Sequence, residues 1–120
     1  MSPWLLVGVG GALGSMARYG VGLLSVRLIG SALPAGTLAV NLVGSFLMMV
    51  VVTLAGRTGL SDETRVFLTT GVMGGLTTYS AFNTETLGLL QERPFVAAGY
   101  IAVTIVGCLV AGLVGRVVAS

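Results

Sequence analysis

Charged residues are scarce in this 120-residue chain, and histidine and lysine are absent. Charged side chains make up 8% of the sequence, whereas an average soluble domain has about 25%. The hydrophobic fraction is 55% and the mean hydropathy is +1.03. This composition argues against a soluble domain and predicts an integral membrane protein.

The same scarcities exclude several kinds of site. Without histidine, a transition-metal centre built from the usual ligands is not expected. The single cysteine, Cys108, cannot form an intramolecular disulfide. The net charge is +2, but the six arginines are scattered and form no basic patch for nucleic acid. The four carboxylates lie at three separate places in the sequence and no nucleophile has an evident base, so the sequence argues against an enzyme.

Long uncharged stretches separate the few charged residues. Each stretch approaches or exceeds the roughly 20 apolar residues that cross a bilayer. The sequence therefore predicts an all-α integral membrane protein with a single domain, residues 1–120, and four transmembrane helices at about residues 3–24, 34–56, 62–91 and 94–118.

The amino-terminal residues bear on localisation. No basic side chain precedes the first apolar stretch, which argues against a cleavable signal peptide. We therefore expect the first span to remain in the mature protein. The lack of a targeting segment favours the plasma (inner) membrane of a prokaryote, in which this would be a multi-pass protein.

The arginines give no clear orientation signal. In a four-span bundle they divide evenly between the two sides, with Arg57, Arg65 and Arg116 on one side and Arg18, Arg27 and Arg93 on the other. Positive residues normally accumulate on the cytoplasmic side. A balanced chain can insert both ways, which leads to the hypothesis of an antiparallel, dual-topology dimer.

The third span is unusually long and polar. About 30 residues of continuous helix would measure about 45 Å, whereas the hydrocarbon core is roughly 30 Å thick. The pair Gly74-Gly75 lies inside this span and is followed by a run of hydroxyl and aromatic side chains. We expect the helix to break at these glycines, in the middle of the membrane, and backbone unwound from Gly74 to Thr77 would offer free carbonyls to an alkali cation.

Polar side chains form two helical stripes. Thr37, Asn41 and Ser45 recur every four residues in the second span, and Tyr100, Thr104 and Cys108 do so in the fourth. Such a stripe either joins helices or lines a pathway. The two stripes beside a polar break in a third helix favour a pathway.

Two aromatic residues follow the predicted break. Tyr79 and Phe82 are three residues apart and share a helix face. Aromatic ring edges are electropositive and can contact a small anion, as can the hydroxyl of Ser80 between them. Arg18, near the end of the first span, either extends to the membrane interface or attracts anions at a vestibule.

At these residues the sequence resembles the Fluc family of small dual-topology fluoride channels, called CrcB-type in bacteria. The resemblance spans essentially the whole chain and rests on three motifs: Gly10-Gly11-Ala12-Leu13-Gly14 with Ala17-Arg18-Tyr19; Gly36-Thr37-Leu38-Ala39-Val40-Asn41 with Gly44-Ser45-Phe46; and Gly71-Val72-Met73-Gly74-Gly75-Leu76-Thr77-Thr78-Tyr79-Ser80-Ala81-Phe82.

The resemblance implies a passive fluoride channel in the lipid bilayer. Its fold would be an antiparallel homodimer with two fluoride pores and a structural sodium ion (Na⁺) at the dimer centre, bound by the main-chain carbonyls of Gly74 and Thr77. Asn41 would line the pore and the ring edges of Phe82 would meet fluoride. The polar track beside them would consist of Thr37, Ser80, Tyr100 and Thr104.

Three residues depart from the family's usual run, which is Thr-Thr-Phe-Ser-Thr-Phe-Ser. This chain has Tyr79, Ala81 and Asn83 at the differing positions. The hydroxyl of Tyr79 either donates to the ion, fills the pore or alters selectivity. A heterodimer with a paralogous subunit is the alternative to a homodimer.

Two functions from other classes of membrane protein are alternatives to a channel. A small proton-coupled multidrug exporter has a similar size and number of spans, but it requires a carboxylate in the membrane, and only Glu85 is available. A noncatalytic assembly subunit would use the polar stripes to join helices and would carry no ion flux.

Reporter fusion at the carboxyl terminus tests the orientation hypothesis. We expect reporters active on opposite sides of the membrane to give comparable signals, because the arginines are balanced. A strong signal from one side alone would contradict dual topology.

Overall fold

The computed structural model describes all residues from Met1 to Ser120, and every regular element in it is helical. In chain order these elements are α1 (Pro3–Ile29), α2 (Ala35–Thr58), α3 (Asp62–Val66), a π-helical stretch (Phe67–Met73), α4 (Gly74–Leu76), α5 (Tyr79–Glu92) and α6 (Pro94–Ala119). The chain is therefore all-α, with four long helical segments of which the third is interrupted.

Local sequence signals account for the start of the third and fourth segments. The Ser61 hydroxyl caps α3 by accepting a hydrogen bond from the Thr64 amide at 3.2 Å, and two acidic residues follow in the first turn. Pro94 occupies the first position of α6, where its missing amide hydrogen is not needed. Both boundaries were predicted from the sequence.

The interruption of the third segment lies at Thr77 and Thr78 rather than at Gly74-Gly75. Thr77 (φ −83°, ψ 154°) and Thr78 (φ −151°, ψ 121°) are extended, whereas both glycines are helical and belong to α4. The predicted position was therefore wrong by about two residues. Gly75 is needed for close packing instead, because a Cβ there would come within 2.5 Å of the carbonyl oxygen of Gly11.

The interruption allows the third segment to change neighbours. Before it, the π-helical stretch and α4 pack mainly against α1, with further contacts to α2. After it, α5 packs against α6, which in turn packs along α2. The break therefore lies where the third segment leaves α1 and approaches α6.

Backbone approaches backbone where α1 meets the third segment. A Cβ on Gly10 would come within 2.7 Å of the Phe67 carbonyl oxygen, and one on Gly14 would overlap the carbonyl oxygen of Val72 and lie 2.8 Å from the Leu76 amide nitrogen. Small residues at such a contact are typical of helices packed in membranes. This packing positions α4, and thereby the break.

The ends of the bundle are joined by polar contacts. At one end the Met1 ammonium lies 3.9 Å from Glu63, and Arg57 Nη1 donates to the Ala119 carbonyl at 2.5 Å. At the other end, Arg93 donates to the Ala32 carbonyl. Each end of the bundle therefore brings together the termini or loops that a four-span topology places on one side.

The outer surface is strongly apolar. Trp4 is 88% exposed and Phe95 is 92% exposed. Helices α2 and α6 are both long enough to cross a membrane, and each contains an 18-residue window of mean hydropathy 2.3. An apolar surface of this extent is suited to a lipid environment or to a partner protein.

Alanine substitutions on α1 test the close packing. Gly14→Ala is expected to lower the free energy of unfolding by about 1–3 kcal/mol, because the new methyl group meets backbone that cannot move independently. The matched control is Gly8→Ala, since nothing lies within 4 Å of a Cβ at that position. Reversible unfolding in detergent micelles measures both, and equal stability of the two variants would contradict the packing.

Candidate functional site

A cavity of about 490 Å³ opens beside the break, and we call it the central cavity. It lies between α2, the break, α5 and α6, and no charged side chain lines it. The lining residues are Asn41, Gly44, Ser45, Met48, Thr77, Thr78, Tyr79, Phe82, Thr104, Ile105, Cys108 and Leu109. The cavity wall is therefore a mixture of apolar groups, hydroxyls, one amide and one thiol.

The Asn41 side chain holds the break in place. Its Oδ1 accepts from the Thr78 amide at 2.8 Å, and its Nδ2 donates to the Thr78 carbonyl at 3.1 Å. Asn41 is 9% exposed, so the pairing is sheltered from solvent. Two of its four hydrogen-bonding positions are used in this way, and one N–H of Nδ2 remains.

Thr78 provides the start of α5. Its hydroxyl accepts from the Ala81 amide at 3.1 Å, which is the usual bond of an N-cap threonine. The Ser80 hydroxyl is exposed and lies 3.3 Å from the Thr78 hydroxyl. Side chains thus bond to the backbone on both sides of the break.

Three aromatic rings meet at the start of α5. The Phe82 centroid lies 5.7 Å from that of Tyr79, with 66° between the planes, and 5.2 Å from that of Tyr100 at 55°. Phe82 is buried, whereas Tyr79 is 79% exposed. Tilted packing of this kind directs ring edges, which carry partial positive charge, toward neighbouring groups.

Two buried hydroxyls near this cluster make no hydrogen bond of ordinary geometry within the chain, although that of Tyr100 lies close to the Thr37 hydroxyl. They are Tyr100 Oη and Thr104 Oγ1, which lie one helical turn apart on α6. An unpaired buried hydroxyl is costly and rare in folded proteins. Thr104 lines the central cavity and can donate to a ligand there, whereas Tyr100 lies behind Phe82 and lines a separate apolar cavity.

A second cavity, the side cavity, lies between α1, α2 and the break. Its lining residues are Ser15, Arg18, Tyr19, Gly22, Leu23, Val26, Gly36, Thr37, Thr78 and Ala81. Arg18 is half-buried, and its Nε donates to the Gly75 carbonyl at 3.2 Å. Thr78 lines both cavities, so the break forms part of the wall between them.

The Glu85 carboxylate lies one turn beyond Phe82 and is half-buried. It accepts a hydrogen bond from the Thr37 hydroxyl at 2.6 Å, which joins α5 to α2. From the sequence, Glu85 was a candidate for the carboxylate that an exporter would need. Its tie to Thr37 depends on the approach of two segments that are 48 residues apart.

The site residues predicted from the sequence lie in or around the central cavity. Asn41, Thr77, Tyr79, Phe82 and Thr104 line the central cavity. The remaining predicted residues lie around it: Arg18 and Thr37 in the side cavity, Ser80 on the exposed face of α5, Tyr100 behind Phe82, and Gly74 in α4.

Thr78 was missed as a site residue. It was quoted within a motif but given no role, although a threonine directly before a helix start is a recognisable N-cap signal. Its second contact, with Asn41, had no sequence signal, because the two residues lie 37 positions apart.

Comparison with known proteins gives a consistent result. A profile of the family described as CrcB-like protein, Camphor Resistance (CrcB), matches residues 5–116. A protein of Sorangium cellulosum (strain So ce56), named fluoride-specific ion channel FluC, is 47% identical over 121 residues, covering 99% of this chain and 95% of that protein.

Proteins with the same name occur in other bacteria. The protein from Anaeromyxobacter sp. (strain K) is 49% identical over 113 residues, covering 92% of this chain and 90% of its own length. The protein from Thermus thermophilus is 50% identical over 91 residues, covering 76% of this chain and 73% of its own length.

Two threonine-to-valine variants test the hydrogen bonding of the site. Thr104→Val is expected to leave the unfolding free energy unchanged or higher, because its hydroxyl has no partner to lose. Thr37→Val is expected to lower it by about 1.5–3 kcal/mol, because it removes a hydrogen bond to a half-buried carboxylate. Thermal unfolding in detergent compares them, and a larger loss for Thr104→Val would contradict the assignment.

Proposed function

The chain belongs to the CrcB-like family, and its relatives are named fluoride-specific ion channels. We therefore propose that it forms a fluoride-specific ion channel. The observation that carries the proposal is the buried Thr104 hydroxyl, which has no partner and lies on the wall of the central cavity that also includes the ring of Phe82. Passive flow through such a channel needs no reaction chemistry. Hydrogen fluoride enters cells as a neutral acid and dissociates, and the channel returns the anion down its gradient.

The proposed anion site relies on neutral donors. Fluoride is small and strongly hydrated, so a route through apolar helices must replace its water with other donors. The hydroxyls of Tyr100 and Thr104, the remaining N–H of Asn41 and the ring edges of Phe82 and Tyr79 are groups of the required kind. They contribute partial positive charge without a fixed cation that would hold the anion too tightly to release it.

The proposed route includes both cavities. Arg18 supplies positive charge to the side cavity, and only one of its five N–H donors is engaged with the Gly75 carbonyl. Thr37 brings a further hydroxyl to this cavity, and the Ser80 hydroxyl lies beside that of Thr78. Anions attracted at this vestibule would pass Thr78 on their way to the central cavity.

We propose that all four helical segments cross the plasma membrane of a bacterium. The apolar windows of α2 and α6 support this, as does the apolar outer surface. The third segment is short enough for the bilayer once its direction changes at Thr77 and Thr78, and the break then lies at membrane depth, where both its backbone ends are bonded to side chains.

An antiparallel dimer is the proposed assembly. Tyr79 lines the central cavity yet is 79% exposed, and Gly74 beside the break is exposed as well. A second subunit would cover both and complete the wall of the cavity. Balanced arginines allow that subunit to be an inverted copy of the same chain, with a paralogous chain as the alternative.

A structural sodium ion fits the donors at the break. Main-chain carbonyls are hard oxygen ligands suited to an alkali cation. The carbonyl oxygens of Gly74 and Thr77 would hold the ion, because the amides that would bond to them in a continuous helix are engaged elsewhere. When bound, the ion would supply positive charge that joins two subunits at their centre.

Fluoride release from liposomes containing only the purified chain tests the proposal. We expect rapid release measured with a fluoride electrode in the presence of sodium, with no matching chloride release. Failure of the folded chain to release fluoride would refute a self-sufficient channel. Release restored by a paralogous chain would then assign it to a heterodimer.

Two phenylalanine-to-isoleucine variants test in the same assay whether fluoride passes the candidate site. Phe82→Ile is expected to slow fluoride release at least tenfold, because isoleucine has no electropositive ring edge. The matched control is Phe95→Ile, since Phe95 is 92% exposed at the start of α6 and distant in sequence from the cavity residues. Wild-type release by the Phe82 variant would remove this ring from the route.

A further inference from the structure

The break can be described by the hydrogen bonds that a continuous helix would have made. Each amide in an α-helix donates to the carbonyl four residues earlier. The Thr78 amide would therefore donate to the Gly74 carbonyl, and the Ala81 amide to the Thr77 carbonyl. These two bonds correspond to the two carbonyls proposed as cation ligands.

Both amides are diverted to side chains in this structure. The Thr78 amide donates to Asn41 Oδ1 at 2.8 Å, and the Ala81 amide donates to Thr78 Oγ1 at 3.1 Å. The two side-chain oxygens take the place of the two carbonyls. Each carbonyl is thereby relieved of its helical partner without leaving an amide unpaired.

Two neighbouring carbonyls have partners within the chain. The Met73 carbonyl accepts from both the amide and the hydroxyl of Thr77, each at 3.0 Å. The Gly75 carbonyl accepts from Arg18 Nε at 3.2 Å. Unlike these two, the carbonyls of Gly74 and Thr77 lose the partner that a continuous helix would give them.

We infer that Asn41 and Thr78 are positioning residues for an alkali-cation site, because their side chains keep the carbonyl oxygens of Gly74 and Thr77 available to the ion. The inference rests on the sodium site of the proposed function. It states that two residues that would not touch the ion keep its ligands in position. Asn41 also bonds to the Thr78 carbonyl, so the peptide groups on both sides of Thr78 are held in one orientation. Because both residues line the central cavity, cation binding and the proposed anion route depend on the same side chains.

Sodium-dependent thermal unfolding of the purified full chain tests the inference without measuring flux. The sodium concentration is varied against N-methyl-D-glucamine at constant ionic strength, in the absence of fluoride. Because a ligand that binds only the folded state stabilises it, the unfolding midpoint of the wild-type chain is expected to rise with sodium. In Asn41→Ala the half-saturating sodium concentration is expected to rise at least tenfold.

Asn83→Ala is the matched control for Asn41→Ala. Asn83 lies on the exposed face of α5 and lines neither of the two cavities, so its variant is expected to keep the wild-type sodium response. A wild-type half-saturating concentration in Asn41→Ala, or an equal change in both variants, would overturn the role of Asn41.

A second pair keeps the inference testable if Asn41→Ala does not fold. Thr78→Val removes the hydroxyl that accepts from the Ala81 amide, whereas Thr78→Ser retains it. We expect weaker sodium binding for valine and recovery with serine. Equal sodium responses in the two variants would overturn the role of Thr78.

Fluoride release from the same preparations separates this inference from the proposed function. A sodium response that depends on Asn41, in a wild-type chain that releases no fluoride, would refute the channel and support the cation site. Fluoride release by a wild-type chain whose stability does not respond to sodium would support the channel and overturn the inference.

Discussion

The reciprocal pairing between the Asn41 side chain and the backbone of Thr78 is the interaction on which the third segment depends. In apolar surroundings an unpaired backbone amide or carbonyl costs several kcal/mol, so a helix can be interrupted only where other groups replace its bonds. Asn41 supplies both a donor and an acceptor at the required positions. Thr78 then caps α5, which can leave α1 and pack against α6.

The pairing requires that the third segment be held at a definite depth relative to α2. Contacts of Gly10, Gly14 and Gly75 set its depth against α1, which itself packs on α2, because they allow the backbones of α1 and the third segment to approach more closely than any side chain would permit. The π-helical stretch Phe67–Met73 lies within this contact and shifts the residues that follow it around the helix axis. Structural glycines and the functional break are therefore parts of one arrangement.

The site combines paired polar groups with unpaired ones, and the two kinds have different consequences. Asn41, Thr78 and Thr37 use hydrogen bonds to hold the backbone and the helices. Tyr100 and Thr104 keep buried hydroxyls that make no hydrogen bond of ordinary geometry, which an entirely structural core would avoid. The unpaired Thr104 hydroxyl is therefore free to donate to a ligand of the central cavity.

The sequence by itself determined the helical class and the approximate extent of the four segments, and it singled out Asn41, Phe82 and Thr104, which line the central cavity. The signals for these features are local in sequence: charge-free stretches, the helix starts at Ser61 and Pro94, and the four-residue spacing of Asn41 with Thr37. Each can be recognised without knowing how the helices pack. Tertiary structure decided the position of the break, since glycines weaken a helix but only a distant side chain can replace its hydrogen bonds. It also decided that Glu85 meets Thr37, because contacts between residues 48 positions apart depend on how the helices pack.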